Sequence, residues 1–211
     1  MDKPIGLVDL AAQWAEIEDE AMPLVQARLR SGDYLGHDTI AAFEREWAEY
    51  VGGGVHAVAC SSGTDAVELM VRACTPEDAW VGVDEATFVA TVAGVERAGR
   101  KVVPNHERQC ANYTIATWLY GSTAYAADLA RQCRERGDVL LEDASQAHGN
   151  KRAGTFGDAA AWSLYPSKNL GGIGQGGVVT FKDSVAAAKA RRIREHGYDR
   201  ATDRHFGRGF N

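Results

Sequence analysis

LEDASQAHGNKRAGTFGDAAAWSLYPSK, residues 141–168, is the stretch of this sequence that decides its fold. It continues an apolar run, 139–141, that stops abruptly at two acids, Glu142 and Asp143. This pattern is typical of a buried strand whose carboxyl end carries the acids. In open α/β sheets, ligands bind at the carboxyl ends of the strands. We therefore expect a ligand site at this end of the strand.

A second apolar run, 159–164, leads to a lysine in a glycine-rich turn. The run contains Ser163, and Lys168 follows it shortly before GGIGQGG at 171–177. An acid at one strand end and a lysine after another suit pyridoxal phosphate above other cofactors. This cofactor needs a Schiff-base lysine and a carboxylate on its pyridinium nitrogen. We predict Lys168 as the catalytic Schiff-base lysine and Asp143 as the pyridinium partner.

Both residues have a simpler interpretation. Lys168 is a solvated surface lysine unless burial or a neighbouring cation keeps its amine partly neutral, as a Schiff-base lysine and proton shuttle requires. Asp143 is otherwise a strand-end acid that caps a turn. The position of Lys168 between SLYP and the glycine-rich segment favours the catalytic interpretation.

Short apolar runs and helical periodicities alternate along the rest of the chain. They predict strands at 56–60, 80–83, 101–104, 114–121, 138–141, 159–164 and 176–181. They predict helices at 9–30, 39–50, 66–73, 88–98, 123–136 and 184–196. This alternation indicates a layered α/β domain with right-handed crossover connections.

Three segments carry a resemblance to a known family: DASQAHG (143–149), SLYPSKNL (163–170) and GQGG (174–177). They resemble the patterns DxxQAxG, SFxxxKxL and GEGG of the DegT/DnrJ/StrS sugar aminotransferases. The resemblance implies a three-layer α/β/α sandwich with a mostly parallel sheet, the large domain of fold-type I pyridoxal phosphate-dependent transferases.

The resemblance extends from Gly6 to Asn211 and also implies a domain organisation. Residues 1–211 are expected to form one pyridoxal phosphate-binding large domain, with the N-terminal helices 1–50 packing on it. The small C-terminal domain of the family is expected to be missing.

SGTDA, residues 62–66, follows a predicted strand and opens a helix. This geometry points backbone N–H groups and the positive helix end at an anion, although Ser and Thr favour ordinary helix caps as well. The resemblance assigns Gly63 and Thr64 to the cofactor phosphate. It also implies that Phe88 stacks on the pyridine ring; the alternative is a core phenylalanine near a helix start.

Three further cofactor contacts follow from the resemblance alone. Gln146 is expected to hydrogen-bond the ring hydroxyl oxygen, and Ser163 to reach the phosphate. Asn211 matches an asparagine that reaches the cofactor of the neighbouring subunit, which implies a homodimer. The alternatives are a polar turn residue facing water, a buried hydroxyl bonded to backbone, and a plain loop residue.

The sequence departs from the family pattern in a few places. Trp118 stands where the family commonly has histidine, Gln175 replaces the glutamate of GEGG, and the segment 105–113 is shorter. His148 lies inside QAHG, and we expect it to be a structural, hydrogen-bonded histidine rather than a general base.

Composition excludes several classes of partner. The 211 residues carry a net charge of -6 with no basic stripe, so nucleic-acid binding is not expected. No apolar run approaches the ~20 residues of a membrane helix, and MDKPIGLVDL lacks the apolar core of a signal peptide. The four cysteines show no metal-ligand spacing, which predicts a cytoplasmic protein with free thiols and no metal site.

The resemblance implies a pyridoxal phosphate-dependent aminotransferase. It would transfer an amino group from glutamate or glutamine to a keto group of a nucleotide-linked sugar or cyclitol. Lys168 favours transamination, because the dehydratase branch of the family has histidine there. The alternative is a truncated, non-catalytic paralogue or fragment that binds the cofactor or a partner subunit without turnover.

Overall fold

The computed structural model describes residues 6–52, 54–199 and 202–205, without the side chains of 108–110. The chain divides into two compact units, Met1–Phe43 and Glu44–Asn211. Helix α2, His37–Val51, crosses the boundary between them. The predicted site residues before position 211 all belong to the second unit.

Helix α1, Leu10–Ser31, fills most of the first unit. The Asp9 carboxylate accepts a hydrogen bond of 3.0 Å from the Ala12 N–H, which caps the start of the helix. Gly32, at φ 73°, ends it in the left-handed conformation that glycine adopts without strain. Pro23 lies inside α1, which runs through it as one continuous helix.

A seven-stranded sheet organises the second unit. Its strands are β1 (His56–Cys60), β2 (Trp80–Val83), β3 (Lys101–Pro104), β4 (Tyr113–Thr117), β5 (Val139–Asp143), β6 (Ala159–Ser163) and β7 (Gly177–Phe181). Their order is β3-β2-β4-β5-β6-β7-β1. β7 runs antiparallel to β6 and β1, and the other six strands share one direction. A second, separate sheet consists of two antiparallel strands of two residues each, β8 (Tyr198–Asp199) and β9 (Arg204–His205).

Helices cover both faces of the sheet. The remaining helices are α3 (Gly63–Cys74), α4 (Val89–Arg97), α5 (Ala126–Arg136) and α6 (Ser184–Arg194). Side chains of α3, α4 and α6 share one buried core with alternate residues of the strands. On the opposite face, Trp47 of α2 packs edge-on against Trp162 of β6, with ring centroids 5.7 Å apart. The expected three-layer α/β/α sandwich is therefore confirmed.

The central strands read as continuous apolar runs because both of their faces are covered. All five residues of β6 and of β7 are buried, as are the last four of β5. Such burial is typical of parallel strands between two helical layers. Because β1, β2, β4, β5 and β6 run in the same direction, their carboxyl ends meet at one edge of the sheet.

The connection between β3 and β4 is a short 3-10 helix, Asn105–Cys110. It leaves β3 at the edge of the sheet. Lys101 and Pro104 stand at the two ends of β3, and residues of these types discourage pairing with a second chain. Within the described residues, no helix is both long and apolar enough to cross a membrane. That part of the chain also holds no cluster of potential metal ligands.

Candidate active site

The predicted site residues that the structure describes line one cavity at the carboxyl edge of the sheet. The cavity has a volume of about 540 Å³, within the range typical of small-molecule sites. Its lining includes Gly63, Thr64, Phe88, Asp143, Gln146, Ser163 and Lys168. Asn211 lies outside the described residues. Residues more than 100 positions apart in the chain are thus brought together by the strand ends.

One end of the cavity is formed by the start of α3. The helix begins at Gly63, three residues before the predicted start, because the Ser62 hydroxyl caps it by accepting a hydrogen bond of 3.1 Å from the Asp65 N–H. The first N–H groups of a helix have no intrahelical partner. Gly63 and Thr64 therefore present backbone donors and the positive helix end to the cavity, a geometry that binds anions.

Gly63 allows α3 to approach β6 closely. A Cβ atom at this position would lie 2.6 Å from Cβ and 2.8 Å from Oγ of Ser163. Ser163 itself is buried, and its Oγ accepts a hydrogen bond of 3.3 Å from the Tyr165 N–H. This close packing brings the Ser163 hydroxyl beside the first turn of α3, where the helix N–H groups converge.

Asp65 places a buried negative charge in the first turn of α3. Its carboxylate pairs with Arg97 at 2.8 Å and accepts a hydrogen bond of 2.8 Å from Ser62 Oγ. Burial acts to raise the pKa of Asp65, but hydrogen bonds from Ser61 and Ser62 and the charge of Arg97 lower it below its ordinary value. Arg97 offsets the charge of Asp65, so the helix end remains suited to an anion.

Lys168 lies half-buried on the turn that follows β6. Its backbone N–H donates to the Tyr165 carbonyl at 2.8 Å, which fixes the turn. Burial lowers the pKa of Lys168 below its ordinary value, and the negative charge of Asp143 opposes this shift. Burial therefore shifts the amine towards its neutral form, which is the direction that a Schiff-base lysine requires.

Asp143 ends β5 and is only 5% exposed. Its Oδ2 accepts a hydrogen bond of 2.5 Å from Thr91 Oγ1, and its Oδ1 accepts one of 3.1 Å from the Ser145 N–H. Each carboxylate oxygen thus has one fixed donor. The orientation of the carboxylate at the cavity wall is set by α4 on one side and by the turn after β5 on the other.

Thr91 was not predicted from the sequence, and neither were the two threonines that form a hydrogen-bonded series with it. Thr87 Oγ1 lies 2.7 Å from Thr91 Oγ1 and 2.8 Å from Thr117 Oγ1. The Thr117 N–H in turn donates to the Asp84 carboxylate at 2.8 Å. The available signals are weak: two threonines four residues apart at a helix start, and a threonine that ends β4.

Phe88 is 62% exposed and forms part of the cavity wall. It immediately precedes α4 and makes no side-chain cap there. The alternative of a core phenylalanine is therefore wrong. Its stacking on a cofactor ring stays a prediction.

Gln146 contacts the backbone of the turn after β4. Its Oε1 accepts a hydrogen bond of 2.9 Å from the Tyr120 N–H, which leaves the amide NH₂ as its donor for a bound ligand. Tyr120 has a φ of 55° and lies in the turn Leu119–Gly121. Strand β4 therefore ends at Thr117, earlier than the predicted 114–121, because left-handed backbone cannot continue a strand.

His148 is buried, and the expectation of a hydrogen-bonded ring is wrong. It is 7% exposed, and neither ring nitrogen has a hydrogen-bond partner among the described residues. The ring packs against Trp47 and Trp162, with centroid distances of 6.0 and 5.6 Å. Burial, with the positive charge of Lys168, lowers the pKa of His148 to about 4.

Glu142 and Asp143 have opposite environments although they are neighbours in the sequence. Glu142 is fully buried, and its carboxylate accepts hydrogen bonds from Trp118 Nε1 at 2.6 Å, the Gly154 N–H at 2.8 Å and the Gly157 N–H at 2.6 Å. Burial raises the pKa of Glu142. Glu142 thus anchors the segment before β6, and only Asp143 lines the cavity.

The fold defines a class of protein. Its mostly parallel seven-stranded sheet with helices is that of fold-type I pyridoxal phosphate-dependent aminotransferases. A profile of the DegT/DnrJ/EryC1/StrS aminotransferase family matches residues 15–115 and 112–211. The chain belongs to this family.

Individual relatives support the same assignment. The dTDP-3-amino-3,4,6-trideoxy-alpha-D-glucose transaminase of Streptomyces venezuelae is 33% identical over 92% of this chain and 56% of its own length. The pleiotropic regulatory protein of Geobacillus stearothermophilus is 31% identical over 92% of this chain and 57% of its own length. The crystal structure of S. venezuelae DesV in complex with a ketimine intermediate has a TM-score of 0.88 and 32% identity, covering 100% of this chain and 62% of that one. This chain thus spans less than two thirds of the length of these relatives.

Proposed function

We propose that this chain forms the cofactor-binding large domain of a pyridoxal phosphate-dependent aminotransferase. The reaction would transfer an amino group from glutamate or glutamine to a keto group of a nucleotide-linked sugar or cyclitol. One observation carries the proposal: Lys168, Asp143 and the first turn of α3 face the same cavity.

The groups that line the cavity suit both the phosphate and the pyridine ring of the cofactor. The backbone donors of Gly63 and Thr64 suit a phosphate, and the buried carboxylate of Asp143 suits a protonated pyridine nitrogen. Phe88 adds an exposed aromatic ring to the cavity wall, which suits the pyridine ring. The resemblance adds Gln146 at the ring hydroxyl, Ser163 at the phosphate and, from a second subunit, Asn211.

Some residues of this chain would bind the cofactor, and Lys168 would transfer protons. Bound pyridoxal phosphate supplies an electron sink for the carbanion formed on the amino donor. Lys168 Nζ, whose pKa is lowered by burial, would take the proton from the donor carbon and release it to the bound cofactor in the first half-reaction, and in the second it would take that proton back and deliver it to the acceptor carbon. Asp143 would hold the proton on the ring nitrogen, and its own hydrogen-bond donors keep the carboxylate in place.

The substrate class rests on relatives rather than on contacts in the cavity. The S. venezuelae transaminase is named for a dTDP-linked amino sugar, and by similarity we assign this chain to nucleotide-linked keto sugars or cyclitols. A homodimer follows from the expected role of Asn211. The free thiols of Cys60, Cys74 and Cys133 suit a reducing compartment such as the cytoplasm.

The proposal is tested by absorbance spectroscopy of the 211-residue chain. Adding pyridoxal phosphate should produce a visible band that Lys168→Ala lacks, with Lys182→Ala as the control lysine. Adding L-glutamate should then convert the spectrum to that of pyridoxamine phosphate. A band that forms but ignores both glutamate and glutamine would support the alternative of binding without turnover. No band in folded protein would overturn the cofactor assignment.

A further inference from the structure

Three threonine hydroxyls connect the Asp143 carboxylate to the end of a neighbouring strand. Thr91 Oγ1 lies 2.5 Å from Asp143 Oδ2, Thr87 Oγ1 lies 2.7 Å from Thr91 Oγ1, and Thr117 Oγ1 lies 2.8 Å from Thr87 Oγ1. These residues come from α4, from the loop before it and from β4. The chain of hydroxyls therefore joins three elements to one carboxylate.

The direction of these hydrogen bonds is set by the carboxylate. A hydroxyl has one proton to donate, and an ionised carboxylate can only accept. Thr91 must then donate to Asp143, which obliges Thr87 to donate to Thr91 and Thr117 to donate to Thr87. Hydrogen bonds aligned in one direction polarise each other, and they are stronger in a buried environment.

Three of the four side chains in this hydrogen-bonded series are buried, and Thr87 is half-buried. Thr91 is fully buried, Asp143 is 5% exposed and Thr117 is 7% exposed. Water is therefore poorly placed to replace the Thr91 hydroxyl if that hydroxyl is removed. Ser145 N–H occupies only the other carboxylate oxygen.

We propose that Thr91 is a positioning residue that aligns the Asp143 carboxylate with the ring nitrogen of the cofactor, and that Thr87 and Thr117 orient its hydroxyl. The inference rests on the proposed function and deepens it. Thr91 would not touch the cofactor and would act only through Asp143. Its contribution should therefore depend on the ring nitrogen, whereas a purely structural threonine would affect every ligand of the cavity alike.

A ligand that lacks the ring nitrogen separates these two roles. The 1-deaza analogue of pyridoxal phosphate carries C–H in place of that nitrogen. Equilibrium affinities for both compounds are measured with the wild type and with Thr91→Val, which keeps the shape of the side chain. Since hydrogen bonds to charged groups contribute roughly 10- to 100-fold in an equilibrium, we expect Thr91→Val to weaken pyridoxal phosphate binding by about 10-fold. Binding of the deaza analogue should change by less than about twofold.

Three further variants complete the test. Thr91→Ser retains the hydroxyl and should restore most of the affinity. Thr87→Val, at a half-buried position, should produce a smaller loss in the same direction and guards against a folding defect in Thr91→Val. Thr114→Val is the matched control, because Thr114 is fully buried on β4 and its hydroxyl has no partner among the described residues.

The outcomes separate the inference from the proposed function. Equal losses for both compounds in Thr91→Val and Thr87→Val, or no loss for either, would overturn the positioning role and leave the proposed function standing. Failure of Thr91→Ser to restore affinity in folded protein would also overturn it. A wild type that binds neither compound would remove the proposed function and the inference together.

Discussion

Trp118 and Glu142 form a buried pair in which an indole N–H donates to a carboxylate at 2.6 Å. Both side chains are fully shielded from solvent. Glu142 precedes Asp143 on β5, and its carboxylate also accepts hydrogen bonds from the backbone N–H groups of Gly154 and Gly157. Trp118, which departs from the family pattern, thus provides a hydrogen-bond donor to the buried carboxylate of Glu142.

Replacing Trp118 by phenylalanine should destabilise the protein in a pH-dependent way. Loss of a hydrogen bond to a charged group costs about 1.5–3 kcal/mol, and the smaller ring adds a cavity term. Burial has already raised the pKa of Glu142 above its ordinary value. The stability that this shift contributes is complete below the pKa of Glu142 in the unfolded chain, and it is lost as the pH rises through the pKa of Glu142 in the folded protein. Removing the donor raises that pKa further, and the loss should therefore be larger at pH 7 than at pH 4.

Urea unfolding at the two pH values measures this difference. The same Trp118→Phe change in a Glu142→Gln background is the control, since that background keeps the buried side chain but removes its titratable group. We expect the cost of the change in this background to be the same at both pH values. If Trp118→Phe behaved like this control, the pair with Glu142 would have no role beyond packing.

Asp143→Asn should lower the pKa of Lys168 further. Burial already lowers that pKa, and the charge of Asp143 opposes the shift, so removal of the charge leaves burial unopposed. Competitive acetylation of Lys168, followed by mass spectrometry across pH, measures the midpoint directly. Asp128→Asn on the exposed surface of α5 should leave the midpoint unchanged. An upward shift in Asp143→Asn would show that the two groups do not interact as described.

Gly63→Ala should destabilise the domain although alanine is the better helix former. Helix propensity favours alanine by about 1 kcal/mol, whereas overpacking costs about 1–3 kcal/mol, and the new Cβ would lie 2.6 Å from Ser163 Cβ. Affinity for pyridoxal phosphate should fall as well, because the first turn of α3 is pushed away from β6.

Adding Ser163→Gly to Gly63→Ala should recover part of the lost stability, since it removes the two closest atoms. Unfolding free energies of the two single variants and the double variant give the coupling between the positions. Gly172→Ala is the control, because its Cβ would meet nothing closer than 3.6 Å, the Leu164 carbonyl oxygen. Strict additivity of the two changes would contradict the close approach of α3 to β6.

His148→Phe should make stability less dependent on pH. The pKa of His148 is lowered to about 4 in the folded protein. The unfolded chain takes up a proton near the ordinary value of ~6.5. Wild-type stability therefore falls as pH drops from about 6.5 towards 4. Phenylalanine has no proton to bind and suits the contacts with Trp47 and Trp162.

Unfolding free energies between pH 4 and pH 8 check this, together with the ring resonances of His148 in wild-type NMR spectra. The unfolding free energy of His148→Phe relative to that of the wild type should be highest at acidic pH. A His148 ring that titrates near pH 6.5 would show that it is not buried as described.

The central strands were predictable from the sequence because their burial is continuous. The apolar runs before Asp143 and Lys168 identified β5 and β6, and the predicted bounds of β1, β2 and β3 match the structure. The antiparallel direction of β7 was not predictable in this way. A fully buried strand has the same composition in either direction, so periodicity carries no information about it.

The site residues that lie in an unusual sequence pattern were predictable, whereas those of a common residue type without a distinctive pattern were not. A lysine before a glycine-rich turn is an unusual pattern, and Lys168 does line the cavity. The hydroxyls of Thr87, Thr91 and Thr117 carry no comparable signal, because threonine occurs in every kind of structure. Their connection depends on three elements that meet only after the sheet has formed. The missing partners of His148 depend in the same way on packing that sequence cannot supply.

The antiparallel β7 has a consequence for how the protein forms on the ribosome. Among the described strands, β1 pairs with β7 alone, and Cys60 precedes its partner Gly177 by more than half of the chain. The first strand of the sheet therefore leaves the ribosome long before its partner is synthesised. Both of its edges stay available to other nascent chains during that interval. Because β7 joins β1 to β6, the anion-binding end of the cavity can close only when synthesis has passed residue 181.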